Sequence, residues 1–339
     1  MRGEPDAGAP FFFSTRLPAW DAIANYDGGV MGEHIRIIEV GPRDGLQNEP
    51  AQVPFEDRLR FIRDLIASGI RELEVGSFVR PDRVPRMADT DKIYDSMRTG
   101  GLDIGDAKAW SLVPNRSGLD RAVAAGAKNI ALFTAATDSF ARANIGMSIE
   151  QSIKEFDGIL QQLRRSGNDF KVRGYVAVCF GCPFEGKVRP EQVLRVIEDL
   201  LKVGMDEISI CDTIGVATPG QVDQLVVPAL KLLGNTSLAN HFHDTRGTAL
   251  ANALRAVELG VRALDSSAGG LGGCPFAPEA GGNLATEDLV YMLEGMGFET
   301  GIRLDRLCEA GLRISRKLKK RQLSKYLQAH HSECQTTRR

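Results

Sequence analysis

From residue 35 onward the chain repeats one arrangement: a short β-branched run, a turn of Gly, Pro, Asn or Asp, then apolar residues at helical spacing. IRIIEV (35–40) precedes a helical stretch near 56–68, RELEVG (71–76) one near 84–98, AKAWSLV (107–113) one at 116–126, and NIALFT (129–134) one near 148–165. YVAVCF (175–180), EISICD (207–212), LANHFH (238–243) and RALDSS (262–267) lead into helices expected at 190–203, 219–233, 247–259 and near 286–296. Eight β-then-α units are the number that closes a parallel sheet on itself, whereas open doubly wound sheets more often stop at about five to seven strands. The expected fold is therefore α/β, a (β/α)8 TIM barrel with a C-terminal helical extension. The expected division is a loosely ordered N-terminal extension at 1–33, a catalytic barrel at 34–300, and a helical extension and tail at 301–339. The extension carries the basic run RKLKKR (316–321), read as a solvated helix face beside the barrel, with contact to a phosphate-bearing ligand as the alternative.

Charge and cysteine usage narrow the partners. Lys plus Arg number 42 against 44 Asp plus Glu, so no global field draws the chain to nucleic acid or an anionic membrane. No apolar run approaches the ~20 residues of a membrane span. The first 33 residues lack the basic-then-apolar order of a secretory signal and carry too many acids for a transit peptide, and the final TTRR is not an SKL-type address. Six cysteines scattered through a chain of this size indicate free thiols in a reducing compartment, and the expected location is cytoplasmic. Cys179 and Cys182 have C-x-x-C spacing, but with no second pair or nearby His the metal or redox reading is disfavoured.

A parallel barrel builds its active site from the C-terminal ends of its strands, so polar residues there carry the most weight. Strand 1 runs into EVGPRDGLQNE (39–49), bringing Arg43 and Asp44; strand 2 offers Glu74, strand 6 Asp212, and strand 7 His241 and His243. The loop after strand 8 supplies Cys274 and Asn283. Residues two apart on a strand point the same way, so the two imidazoles can converge on one ion together with Asp44. One carboxylate, two imidazoles and the Asn283 amide oxygen make a mixed oxygen and nitrogen set that suits Mg2+ or Mn2+ better than Zn2+. Arg43 offers a planar fork of donors for an oxyanion, or else a structural pair with Glu74 or Asp212. Cys274 lies within GGLGGCPFAPEAGGN (269–283), where glycines permit movement and prolines restrict it. On such a loop a thiol can protonate a carbanion; the alternative is an inert buried cysteine in a long connection.

The motifs EVGPRDGLQNE (39–49), CPFEGK (182–187), DTIGVATPG (212–220), HFHDTRG (241–247) and GLGGCPFAPEAGGNLATEDLVYMLEGMG (270–297) closely resemble those of 3-hydroxy-3-methylglutaryl-CoA lyases, within the barrel metallolyases. The resemblance spans about residues 34–330. It implies Mg2+ or Mn2+ on Asp44, His241, His243 and Asn283, with Arg43 stabilising the enolate of the departing acetyl-CoA and Cys274 protonating it. Glu74 and Asp212 would complete the polar network, and His241 or a nearby carboxylate would take the alcohol proton. Gln47, Ser77, Asn144 and Ser209 are implied near an acyl-CoA thioester substrate, Glu39 and Arg173 as a structural ion pair, and the assembly as a homodimer. Three departures bear on substrate preference: Arg246 in DTRG, Pro50 after QNE, and Glu279 in the PEAGG stretch. The alternatives are a lyase for a longer branched 3-hydroxyglutaryl-CoA, such as an isohexenyl analogue, a Claisen-condensing acyltransferase of the same superfamily, and a non-catalytic binding or scaffold protein.

Overall fold

The computed structural model describes residues 32–167, 169–273, 281–320 and 323–336. Eight parallel strands close into a barrel: β1 (Arg36–Glu39), β2 (Glu72–Ser77), β3 (Lys108–Leu112), β4 (Asn129–Ala135), β5 (Lys171–Ala177), β8 (Glu207–Asp212), β9 (Ser237–Phe242) and β10 (Ala263–Ser266). Each neighbours the next, and β10 pairs with β1 in register from Arg36 opposite Ala263 to Glu39 opposite Ser266. A short antiparallel hairpin, β6 (Gly181–Cys182) and β7 (Gly186–Lys187), stands outside the barrel after β5.

The helices are α1 (Phe55–Ala67), α2 (Thr90–Arg98), α3 (Arg116–Ala125), α4 (Asp138–Ile145), α5 (Ile149–Arg165), α6 (Pro190–Val203), α7 (Pro219–Leu233), α8 (Ala249–Glu258) and α9 (Thr286–Gly295). The additional helices α10 (Leu304–Leu318) and α11 (Lys325–Thr336) follow. α6 shows why they form: Pro190 stands in its first turn, Gly204 ends it in the left-handed conformation, and Val193, Val196, Ile197, Leu200 and Val203 lie buried along one face. None of the described helices is long and apolar enough to cross a membrane.

Three elements differ from the sequence expectation. α4 lies between β4 and the expected helix; its eight residues are too few to show a sustained helical period, and Gly146 stops it in the left-handed region. β5 starts at Lys171, because Arg173 is carried inside the barrel as a buried ion, and ends at Ala177, where Val178 turns the chain at φ +54°. The helix expected near 84–98 begins only at Thr90, after a separate 3-10 turn at Pro85–Met87.

The barrel interior is charged. Arg173 on β5 meets Asp265 on β10 at 2.9 Å and Glu207 on β8 at 3.1 Å. β5 and β10 are separated by two strands in the sheet, so Arg173 and Asp265 meet across the interior. Arg36 on β1 similarly contacts Glu207 and also pairs with Glu72 on β2 at 2.9 Å. The expected Glu39–Arg173 pair is absent. Glu39 instead accepts the Gly41 and Ala268 amides (2.7 and 3.0 Å) and the Thr286 hydroxyl (2.7 Å), tying the end of β1 to the loop after β10.

Candidate active site

After β1 the chain makes one π-helical turn, Gly41–Gly45, with Pro42 in its first positions, and this brings Arg43 and Asp44 to the mouth. Arg43 Nε donates to Glu74 Oε2 at 2.6 Å and Nη1 to Asp44 Oδ1 at 2.7 Å. Glu74, not Asp212, is therefore the carboxylate partner of Arg43 from another strand. Burial opposes the Arg43 charge, but Glu74 and Asp44 outweigh it and raise the guanidinium pKa. The fork is a permanently charged donor, held by its acids and 5.9 Å from the Tyr175 ring centre.

β9 ends in the two histidines. Ligand atoms of Asp44, His241 and His243 lie within 4.8 Å of one another. His243 pairs with Asn283 in an isolated antiparallel bridge, which brings in the far stem of the glycine-rich loop. Asn283 Nδ2 donates to Asp44 Oδ2 and to the Leu271 carbonyl, each at 2.9 Å. Two acceptor atoms here are buried with no hydrogen-bond partner, Asn283 Oδ1 and His243 Nδ1. Burial and the neighbouring His241 push His243 down to about 4, so its imidazole is neutral at pH 7. Burial pushes Asp44 up, but Arg43, the two histidines and Asn283 outweigh it and leave its pKa below the usual range.

Charge in the interior agrees with this donor set. Asp44, Glu72, Glu74, Glu207 and Asp265 stand against Arg36, Arg43, Arg173 and Lys108, the last 2.9 Å from Glu72, a nominal excess of one negative charge. Two imidazoles, a carboxylate and an unpaired amide oxygen inside such a shell fit a divalent cation.

One residue that the sequence reading passed over organises the centre. Asp265, fully buried, lies 3.2 Å from His241 Nδ1, 2.9 Å from Arg173 and 3.3 Å from the Ser209 hydroxyl. Burial alone would raise its pKa, but Arg173 and His241 bring it down to about 2. Its anion fixes Nδ1 as the protonated nitrogen of His241 and leaves Nε2 to face outward. His241 thus has one nitrogen to offer, to a metal or to a substrate proton but not to both. The only sequence signal for Asp265 was an acid in the middle of RALDSS.

The cavity above this centre has a volume of about 660 Å3. It is lined by Arg43, Asp44, Gln47, Asn144, Tyr175, Cys211, His241 and His243, with Arg80, Arg83, Arg142 and Gly273 also on its wall. Gln47 and Asn144 both reach this cavity. Ser77 and Ser209 are fully buried off the cavity, Ser77 accepting the Val79 amide at 3.3 Å and Ser209 donating to Asp265. Asp212 has both oxygens on the backbone, accepting from Val216 (2.9 Å) and Ala217 (3.0 Å), so it shapes the turn into α7; burial outweighs those bonds and puts it at about 6. Cys274 and Glu279 lie outside the described residues. Cys179 and Cys182 form no shared site: the first donates to the Val176 carbonyl at 2.9 Å and the second accepts from Thr137 at 3.2 Å.

A closed parallel barrel with an Asp–His–His cluster beside a buried Arg–Glu pair defines the class of barrel enzymes that work with a divalent cation. Residues 34–314 match the HMGL-like family, and the chain belongs to it. Among its relatives, the mitochondrial hydroxymethylglutaryl-CoA lyase of Rattus norvegicus is 46 % identical over 302 residues, covering 89 % of this chain and 91 % of the relative. The crystal structure of HMG-CoA lyase from Bacillus subtilis is similar at TM-score 0.84 and 39 % identity, covering 89 % of this chain and 99 % of that one. An HMG-CoA lyase from Acinetobacter baumannii, in complex with coenzyme A and 3-methylmalate, gives a TM-score of 0.82 at 40 % identity, covering 87 % of this chain and 95 % of that one.

Proposed function

We propose that this protein cleaves 3-hydroxy-3-methylglutaryl-CoA to acetyl-CoA and acetoacetate, using Mg2+ or Mn2+ held by Asp44, His241, His243 and Asn283. The observation that carries the reading is the Asp44–His241–His243 cluster, its two histidines buried and Asp44 half-buried, under a cavity walled by Arg43. The relatives named above are lyases of this substrate, which favours it over a longer branched analogue or a condensation. Arg80, Arg83 and Arg142 on the cavity wall supply the cations that a phosphate-bearing acyl-CoA needs.

A divalent cation, when bound, supplies Lewis acidity toward the oxygens of a hydroxy acid and lowers the pKa of the tertiary alcohol. The residues do the rest. Of the two bases the sequence allows for the alcohol proton, His241 or a nearby carboxylate, the carboxylate is favoured, because with Nδ1 against Asp265 His241 would have no nitrogen left for that proton if it held the ion. The alkoxide electrons form the ketone of acetoacetate as the bond between C2 and C3 breaks, and its electron pair becomes the thioester enolate. Arg43, locked by Glu74, faces that charge with its fork. Cys274 delivers the proton to C2 to give acetyl-CoA. We place the reaction in a reducing compartment, the cytoplasm in our reading, which the free thiols of Cys179, Cys182 and Cys211 support. The test is acetyl-CoA release from 3-hydroxy-3-methylglutaryl-CoA with Mg2+, Mn2+ or a chelator present: metal-dependent release is expected, and none with either ion overturns the reading.

A further inference from the structure

In the basic run that straddles the end of α10, Lys320 has a buried partner. Lys319 ends α10 in the left-handed conformation, φ 53°, and turns the next residue back toward the barrel. Lys320 Nζ donates to Glu49 Oε1, and Glu49 is only 3 % exposed, on the loop that follows Arg43 and Asp44. The same Glu49 oxygen accepts the Gly272 amide at 3.1 Å, and Lys320 lies 3.5 Å from the Gly272 carbonyl. Three residues on, Leu323 donates its amide to the Gly269 carbonyl at 3.3 Å.

Gly272 is packed on the metal site. A Cβ at Gly272 would lie 2.5 Å from Asn283 Nδ2, and its φ of +115° admits little but glycine. Asn283 Nδ2 in turn bonds Leu271 and Asp44. A continuous path of contacts therefore runs from Lys320 through Glu49 and Gly272 to Asn283 and Asp44.

We propose that Lys320, acting through Glu49, is a positioning residue for the metal site, pinning Gly272 so that Asn283 stays in place against Asp44. The inference rests on the metal reading above and adds a contribution from outside the barrel strands. Without the ammonium, Glu49 is a buried carboxylate whose compensation is lost, and its hold on the Gly272 amide weakens.

The experiment compares wild type with Lys320→Met, Lys320→Arg, Glu49→Gln and the double variant Glu49→Gln/Lys320→Met. It reads amide hydrogen exchange of residues 269–273 in the metal-free protein, Mn2+ affinity by electron paramagnetic resonance, and turnover. Lys320→Met should speed exchange at Gly272 and weaken Mn2+ roughly tenfold, the scale of a lost supporting contact. Lys320→Arg should restore both, and the double variant should be no worse than Glu49→Gln. Wild-type exchange and Mn2+ affinity in Lys320→Met, or effects of the two single changes that multiply, would overturn the proposal. If wild type fails to turn over 3-hydroxy-3-methylglutaryl-CoA, the proposed function falls, while exchange and Mn2+ binding still decide this inference.

Discussion

Asp265 and Cys274 divide the work of the proposed site, one holding a ring still and the other moving a proton. Asp265→Asn should lower Mn2+ affinity about 10- to 100-fold, because the imidazole loses the anion that sets its tautomer; calorimetric titration checks it, and wild-type affinity would count against the assignment. Cys274→Ala should lower turnover about a hundredfold or more while metal binding stays near normal, measured by acetyl-CoA release and by metal analysis. The two residues also differ in how they could be read. Arg43, Asp44, His241 and His243 announce themselves because local spacing places them at strand ends. Asp265 owes its role to Arg173, 92 positions away on a strand that meets it across the barrel, and no local pattern contains that pairing. The depth of Ser77 and Ser209 is hidden for a related reason: nearness to a strand end does not say how far inside the wall a side chain sits.

Among elements, the stem after β10 is held by carboxylates. Glu287 at the start of α9 accepts the Gly269 amide with both oxygens (2.9 Å each), beside the Glu39 clasp on Ala268. Burial lifts Glu287 to about 8, its hydrogen bonds only partly opposing, and Glu39 to about 7. Both pKa values are raised, so the folded state binds more protons than the unfolded chain between about 4.5 and 8. Their contribution to stability is full below the unfolded pKa and declines as pH rises through the folded values. The melting temperature should therefore fall from pH 6 to pH 9 through this stem, and Glu287→Gln should flatten that slope; equal slopes in thermal melts would refute it. At this scale the alternation of strands and helices was readable almost throughout, since each strand is a β-branched run and each long helix has its own stripe. What escaped was α4, too short to show a period, and the beginning of β5, where a charged interior replaces the apolar signature of a strand.

For the molecule as a whole, an Asp–His–His cluster assembled from β9 and the turn after β1 exists only in the folded chain, so a bound divalent ion should stabilise the fold. Adding Mg2+ at roughly a hundred times its dissociation constant should raise the melting temperature by about 5 °C, and a chelator should reverse it. A melting point indifferent to both would contradict the metal site. The interior ions are shared among β1, β2, β5, β8 and β10, so loss of a guanidinium from one strand leaves an acid on another facing a low-dielectric wall without relief. Single changes at Arg36, Arg173, Glu207 or Asp265 should consequently cost more stability than compensated exchanges of both partners. Anyone repurposing this scaffold would have to rewrite the lumen as a set, while the helices outside remain free to vary.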